Sequence, residues 1–380
     1  MKAINRYSIY LLAAVAMVGI FAGCDDDEAA GGQPMISYIR VTNPASSDSL
    51  LASAGQGQMI AIIGENLQNT VEAWFNDQKA ALTATLITRT SIVTRVPSEI
   101  PQEITNKLVL VFSNGSTLEY DFSVDISAPV IARMHSEYVN TGDVAVFYGN
   151  YFYEPLEVTF SGGVQGEIVE VEDDLLRVRV PDGVEPGPVT ITTNFGVAES
   201  GFWFRDNRNI IASFDGTTNG LWHGPSFIKA VDDEISAING KFLRINTILG
   251  EWAWFEAYVG PNDSDVALEL KNIPQNAFTD PQNYVLKFEL NTLASLSGAR
   301  IHIYIGPTIE PGRQNAKYIW EPNIHTNGIW ETVSIPWAEV RAANTELTYD
   351  PNGYGTSIHF SGPNAVTANF AIDNMRVVPQ

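Results

Sequence analysis

The sequence predicts an all-β chain: two tandem copies of a small β-sandwich followed by a larger one. Three observations carry this. First, an internal repeat is present: "GQMIAIIGENL" from Gly57 matches "GDVAVFYGNYF" from Gly142, with Gly57 and Gly64 recurring as Gly142 and Gly149. The register holds further on, where "SIVTRVP" ending at Pro97 returns as "LLRVRVP" ending at Pro181. Second, the segments between turn residues alternate apolar and polar or run apolar, while helical periodicity is nearly absent. Third, the character changes after "FWFRDNRN" (residues 202–209): six of the eight tryptophans follow, and no third copy of the repeat does.

The chain opens on a different grammar. Lys2 and Arg6 form a basic head, and "LLAAVAMVGIFAG" (residues 11–23) forms an apolar run shorter than the roughly 20 residues a bilayer span needs. It ends at Cys24, the single cysteine, so no disulfide can form within the chain. "FAG" before that cysteine resembles the lipobox of bacterial lipoproteins, although Phe21 stands where an aliphatic residue is usual. The resemblance implies a signal peptide over residues 1–23 and lipidation at Cys24; the plainer reading is a buried thiol. The run "DDDE" (residues 25–28) begins a polar tether over 24–33 and resembles the surface-export signal of Bacteroidota lipoproteins.

Residues 34–126 and 127–206 are the two copies. Each starts on a Pro and Ile pair ("PMISYIRV", "APVIARM") and continues as short strands divided by Gly, Asn and Pro turns, a pattern of Ig-like sandwiches of roughly 90 residues. Opening P-x-I, the glycine-framed strand and turn, and the closing V-P resemble the IPT/TIG family of Ig-like domains. In the first copy the connection between Ile39 and Gly57 is the longer one.

Residues 207–380 read as one larger sandwich built from "KFLRIN", "AWFEAYV", "YVLKFELNT", "ARIHIYIGP", "WETVSIPW" and "FAIDNMRVV". Opening "ASFDG", late "WETVSIPWAEV" and terminal "FAIDNMRVV" resemble jelly-roll carbohydrate-binding modules. The whole chain resembles the surface glycan-binding proteins of starch-utilisation-type polysaccharide uptake systems of Bacteroidota. That resemblance implies two tandem Ig-like (IPT/TIG) β-sandwiches as spacers and a jelly-roll-like β-sandwich that holds the glycan. It implies anchoring in the outer membrane, exposure at the cell surface, and an outer-membrane transporter and companion glycan-binding lipoprotein as partners. It also leaves room for a structural calcium near Asp215 or Asp373, without fixing ligands; no cofactor is otherwise expected.

Candidate site residues follow from strand parity. Successive side chains point to opposite faces, so in "EWAWFEAYV" Trp252, Trp254, Glu256 and Tyr258 share one face, and Ala253, Phe255, Ala257 and Val259 make a core face. The outward tryptophans would form a stripe of ~7 Å pitch, and exposed aromatic stripes mark contact surfaces. The same parity makes Ile301, Ile303 and Ile305 core and leaves His302 and Tyr304 opposite; it makes Ile319 core and leaves Tyr318 and Trp320 free. Trp222 in "NGLWHGPS" is expected at a rim. Aromatic planes stack on sugar C–H faces at small entropic cost, and Glu256, His223, Asn246 and Arg313 are the expected polar partners. For each tryptophan a core or inter-domain role is the rival. It is the favoured reading for Trp203, Trp330 and Trp337, and "FWF" at Phe202 is expected to pack the junction of the last two domains. In the glycan-binding family the ligand aromatics lie early in the C-terminal domain, which Trp222 and "WAWF" match.

Charge and motifs exclude other classes. With 44 acidic against 22 basic residues the formal net charge is -22, which repels a phosphate backbone, so nucleic acid is no partner. The five histidines show no metalloprotease spacing, and no glycine-rich loop opens a helix. A glycoside hydrolase needs two carboxylates about 5 to 9 Å apart; Glu251 and Glu256 fall on opposite faces, and nothing requires Glu256 to pair with Glu310 or Glu321. The sequence therefore predicts a non-catalytic binder of a neutral glycan, a β-glucan or a hemicellulose such as xyloglucan or mixed-linkage glucan. A surface adhesin using the aromatic patch for a protein contact is the alternative, and a hydrolase the more distant one.

Overall fold

The computed structural model describes residues 32–46, 48–215, 227–260, 272–306 and 317–380. The leader, Cys24 and most of the tether lie outside the described residues. The described chain is almost wholly β, in two compact units over residues 1–126 and 127–380.

The first unit is a sandwich of two antiparallel four-stranded sheets. One has the order Leu50–Leu51, Met35–Val41, Met59–Glu65, Ser91–Arg95; the other Gln78–Lys79, Thr70–Phe75, Lys107–Phe112, Thr117–Asp121. Alternating residues of both sheets, among them Ile39, Ile60, Ile62, Phe75, Leu108 and Leu110, fill the space between them. The long connection after Ile39 folds as a 3-10 turn, Pro44–Ser46, and two short strands, Leu50–Leu51 and Ser53–Gly55. The last of these pairs in parallel with Ser123–Asp125.

The second unit begins with a sandwich of the same design. Its sheets run Val130–Met134, Val144–Asn150, Leu175–Arg179, Glu167–Val171 and Val164–Gln165, Leu156–Phe160, Thr190–Thr193, Gly196–Glu199.

The repeated glycines have physical causes that are the same in both copies. A Cβ on Gly64 would stand 1.9 Å from the Met35 carbonyl oxygen, and one on Gly149 1.9 Å from that of Val130, so the neighbouring strand can approach only a bare backbone. Gly57 and Gly142 adopt left-handed φ of 70° and 87°. The Gly57 N–H donates to Val96 O at 3.0 Å, and the Arg95 guanidinium donates to Gly57 O at 2.7 Å. Gly142 is held by Val180 at 2.8 Å and Arg179 at 2.7 Å. The "TRVP" and "VRVP" motifs are thus clasps around the glycine turn.

The remainder is a larger sandwich. Its back sheet has the order Ile228–Lys229, Phe242–Leu249, Val366–Pro379, Tyr284–Thr292, Glu331–Pro336, with Ile210–Ala212 also on Val366–Pro379. Its front sheet has the order Phe255–Gly260, Gly355–Phe360, Ile301–Gly306, Lys317–Trp320. Leu243, Ile245, Phe288, Ile303, Ile358 and Phe370 lie in the core between them. Trp337 opens the short helix Trp337–Ala343, is fully buried, and donates its indole N–H to Ala277 O at 2.9 Å. Trp330 packs on Phe242 and donates to Ser236 O at 2.8 Å. Both tryptophans are structural, as expected.

The two sandwiches of the second unit share a buried ionic junction. Glu137, in the loop after Val130–Met134, meets Arg376 at 2.6 Å and Lys287 at 2.5 Å, while Arg376 also meets Glu289 at 2.8 Å. A hydrogen-bonded relay runs beside it. Thr332 donates its N–H to His135 O at 2.9 Å, accepts the Glu137 N–H at 2.7 Å, and donates its hydroxyl to Glu289 at 2.9 Å. Burial opposes the Arg376 charge, yet Glu289 and Glu137 hold it protonated well above its ordinary range. Burial raises the Glu289 carboxyl, against the pull of Arg376. Two acids and two bases balance, so each of these four side chains has a partner of opposite charge. "FWF" contributes less directly than expected: Phe202 and Phe204 belong to the core of the smaller sandwich, with Lys287 5.9 Å over the Phe202 ring. Trp203 instead stacks against Arg208, 3.7 Å from its ring centre.

Candidate functional site

The front sheet of the large sandwich has two unlike faces, and strand register assigns them. Phe255, Phe360, Ile301 and Trp320 lie opposite one another in one row across the four strands; Ile358, Ile303 and Tyr318 continue the next row on the same, core side. The alternate rows carry polar chemistry: Glu256, His359, His302 and Ile319 in one, Ser357, Tyr304 and Lys317 in the other. Period-2 alternation of "IHIYI" and "SIHF" produces this, each isoleucine turning inward and each histidine outward.

This polar face is tightly held. His359 is fully buried, and its Nε2 stands 3.8 Å from a Glu256 carboxylate oxygen. His302 Nε2 meets Ser361 O at 3.1 Å, which fixes the proton there and leaves Nδ1 as a buried acceptor without a hydrogen-bond partner among the described residues. Burial holds the His302 pKa below its ordinary value, with the Lys317 and Arg300 charges acting the same way and the Ser361 carbonyl opposing. Ser357 Oγ is likewise buried and unpartnered among the described residues. Tyr304 packs on His359 at 5.1 Å and on His302 at 6.5 Å.

Two tryptophans stand at the edge of this face. Trp254 is 53% exposed, and its ring meets His359 at 4.8 Å and His302 at 5.8 Å, edge against face. Trp252 is 58% exposed and is fixed through its backbone: φ is 54°, and its N–H donates to Gly362 O at 2.7 Å. Indoles so exposed are a large apolar area to leave in water; here each is held by neighbours rather than packed into the core.

Several expectations are corrected. The strand starts at Phe255, and residues 251–254 form a turn closed by Ala253 N–H to Gly250 O at 3.1 Å, so Trp252 and Trp254 reach the surface from a turn, and Ala253 is exposed rather than core. A bulge between Glu256 and Tyr258 inserts one residue. Tyr258 therefore takes the register position opposite Ile358, in the core row, and leaves the Glu256 row; its side chain is not among those described. The parity of Lys317–Trp320 is the reverse of the expectation. Tyr318 and Trp320 face the core, where Trp320 meets Phe288 at 5.2 Å, and Ile319 takes the outer position beside His302. Asn246 lies on the back sheet, 3.4 Å from Glu234, away from the front face. Glu256 and Tyr304 are on the expected face but are 7% and 1% exposed, a buried layer rather than a rim. Trp222, His223 and Arg313 lie outside the described residues.

His359, Ser357, Lys317 and Ile319 are the residues of this face that sequence reasoning left out, whereas His302 lies on the face where strand parity put it. "SIHF" carried the signal for two of them, since its Ile and Phe continue the core parity of "IHIYI". Among the described residues no group of three His, Cys, Asp or Glu side chains is placed to hold a metal. Near the two expected calcium positions, Asp215 accepts the Lys241 N–H at 2.6 Å and Asp373 accepts the Asn374 N–H at 2.8 Å.

The large domain is thus a two-sheet sandwich whose front sheet has a polar outer layer edged by exposed indoles. Residues 204–379 match the family model of the surface glycan-binding protein B xyloglucan binding domain. An IPT/TIG domain-containing protein of Bacteroides ovatus is 31% identical over 209 residues, covering 52% of this chain and 39% of the relative, so the chain spans well under half the length of that curated protein. The surface glycan-binding protein PbSGBP-B of Prevotella bryantii is 25% identical in structure alignment, with a TM-score of 0.65 over 92% of this chain and 99% of that one. SGBP-B from a complex xyloglucan utilization locus in Bacteroides uniformis shares the fold at 18% identity, TM-score 0.50, over 92% and 100%. The chain is thus similar to the surface glycan-binding proteins, with the all-β fold, the IPT/TIG relation and the likeness of the C-terminal domain to a glycan-binding family that the sequence predicted. The matched family and these two solved structures are binding proteins by name, in line with the prediction that the chain is not an enzyme.

Proposed function

We propose that this protein captures a neutral polysaccharide at the bacterial cell surface, with the large sandwich as its binding domain and Trp252 and Trp254 as the stacking platform. The observation that carries this is the pair of half-exposed indoles beside a polar sheet face in the domain that matches the xyloglucan-binding family. Sugar rings stack on the indoles, and the buried His302 and His359 hold the Trp254 ring in place from the protein side. A xyloglucan or related β-glucan is the ligand class, since an anionic chain would meet a net charge of -22.

The lipobox at Cys24 and the acidic run after it support anchoring to the outer membrane with the chain on the outside. An outer-membrane transporter and a companion glycan-binding lipoprotein are the proposed partners in uptake. Affinity electrophoresis in gels containing neutral polysaccharides tests the reading: xyloglucan or mixed-linkage glucan should retard the protein. Equal mobility with every polysaccharide, in a folded protein, would favour a protein contact at the indoles instead.

A further inference from the structure

The two Ig-like repeats have diverged at one end, and the divergence has a chemical direction. The loops after Gly64 and Gly149 share their local geometry at two successive positions. Asn66 and Tyr151 take left-handed φ of 59° and 63°, and Leu67 and Phe152 follow as fully buried anchors. The Leu67 N–H donates to Arg89 O at 3.0 Å and the Phe152 N–H to Asp173 O at 3.1 Å. At the loop positions around these anchors the first repeat has amides, Asn66 and Gln68, where the second has Tyr151 and Tyr153. In the nearby hairpin the first turns on Asn114-Gly115, the second on Asn194-Phe195.

In the first repeat these residues line a polar cleft of about 600 Å³ that includes Asn66, Gln68, Asn69 and Asn114. In the second they build an aromatic cluster: Tyr151 and Tyr153 rings lie 6.1 Å apart, and Tyr153 and Phe195 rings 6.0 Å apart. None of the three belongs to the domain core, and Tyr151 is 38% exposed. A tyrosine at positive φ is an unfavourable choice where the sister repeat uses asparagine, which tolerates that conformation. A phenylalanine at a hairpin tip is equally unusual. The rim is polar: Asn150, Asp173 and Asn194 are exposed, and Tyr153 is hydrogen-bonded to Asp173.

We infer that Tyr151, Tyr153 and Phe195 form a second, auxiliary glycan-contact site on the second Ig-like domain, taking a neutral sugar chain. The inference rests on the proposed function for its ligand class. Rings inclined at 52° and 85° to one another, with centroids about 6 Å apart and carboxylate and amide groups at the edge, form a bent apolar surface that a hexose can cover with hydrogen-bonding groups beside it. The acidic rim disfavours an anionic polymer. The buried Glu137 and Arg376 junction holds this domain and the C-terminal sandwich in one body, so a long polysaccharide engaged at one site meets the other at raised effective concentration.

The test replaces the three residues with those of the first repeat, Tyr151→Asn, Tyr153→Gln and Phe195→Gly, in the full chain. Binding is then measured by calorimetry to xyloglucan polymer and to a short xyloglucan oligosaccharide. Because the first repeat folds with those residues, and because asparagine relieves the positive φ, the variant should melt no lower than the wild type; Phe195→Gly alone, at a half-buried position of the hairpin turn outside the core, is the fallback. The inference predicts polymer binding about tenfold weaker and oligosaccharide binding unchanged within about twofold, because only the polymer reaches both sites. Unchanged polymer binding, or equal losses for both ligands, would overturn the second site while leaving the C-terminal reading intact. Failure of the wild type to bind polymer at all would overturn the reading itself and this site with it.

Discussion

Arg376, in the last strand of the large sandwich, lies 2.6 Å from Glu137 of the preceding Ig-like domain. Because the same guanidinium also meets Glu289 at 2.8 Å, removing it leaves two carboxylates buried without it. Arg376→Ala should therefore cost about 3–5 kcal/mol, the scale of a broken buried ion pair. Urea unfolding followed by tryptophan fluorescence measures this; a loss under about 1 kcal/mol would show that the junction contributes little.

Gly149→Ala and Gly64→Ala each place a Cβ 1.9 Å from a backbone carbonyl oxygen. No side-chain rotation relieves a clash with backbone, so each variant should lose at least about 2 kcal/mol. Gly115→Ala, with nothing within 4 Å of its Cβ, isolates the cost of positive φ alone and should lose less.

His302 is held below its ordinary pKa of 6.5, chiefly by burial. The unfolded chain accepts a proton near pH 6.5 that the fold resists, so the neutral ring's contribution is intact above that value and is lost progressively as pH falls through it. Thermal melting between pH 8 and 5 should show a decline that is shallower in His302→Asn. His135 is shifted in the same direction, again chiefly by burial, so the decline should not vanish. Identical slopes in wild type and variant would remove His302 from the account.

Trp320→Ala should destabilise the fold by about 2 kcal/mol or more, because its ring packs on Phe288 at 5.2 Å between the sheets. Trp254→Ala, at a ring 53% exposed, should cost less than Trp320→Ala, because about half of the ring's surface is already in water. Denaturation of the two variants side by side separates the core indole from the surface one.

The outcome at these two tryptophans shows how far the sequence could be read. The repeat was legible because Gly64 and Gly149 answer to a local necessity, the close approach of one strand, which any copy must meet. The inward isoleucines of "IHIYI" were legible because both neighbours of that strand keep its parity. Lys317–Trp320 was not, since a strand of four residues has no parity until it pairs, and pairing Ile303 with Tyr318 turned both aromatics inward. The bulge after Glu256 and the left-handed turn at Trp252 are tertiary features without a glycine to announce them. The exposure of Trp252 and Trp254 was anticipated, but the turn that provides it was not. The ionic junction joins Glu137 to Lys287 and Arg376 across 150 and 239 residues, a separation no local pattern reports.

The central claim is that Trp252 and Trp254 bind glycan. The measurement that tests it most directly is affinity electrophoresis of the wild type and the Trp252→Ala, Trp254→Ala double variant in xyloglucan and mixed-linkage glucan gels, with thermal melting of both proteins. The account predicts that the wild type is retarded by at least one of these glucans, and that the folded double variant migrates as in a gel without polysaccharide. Retardation of the double variant equal to that of the wild type would contradict it.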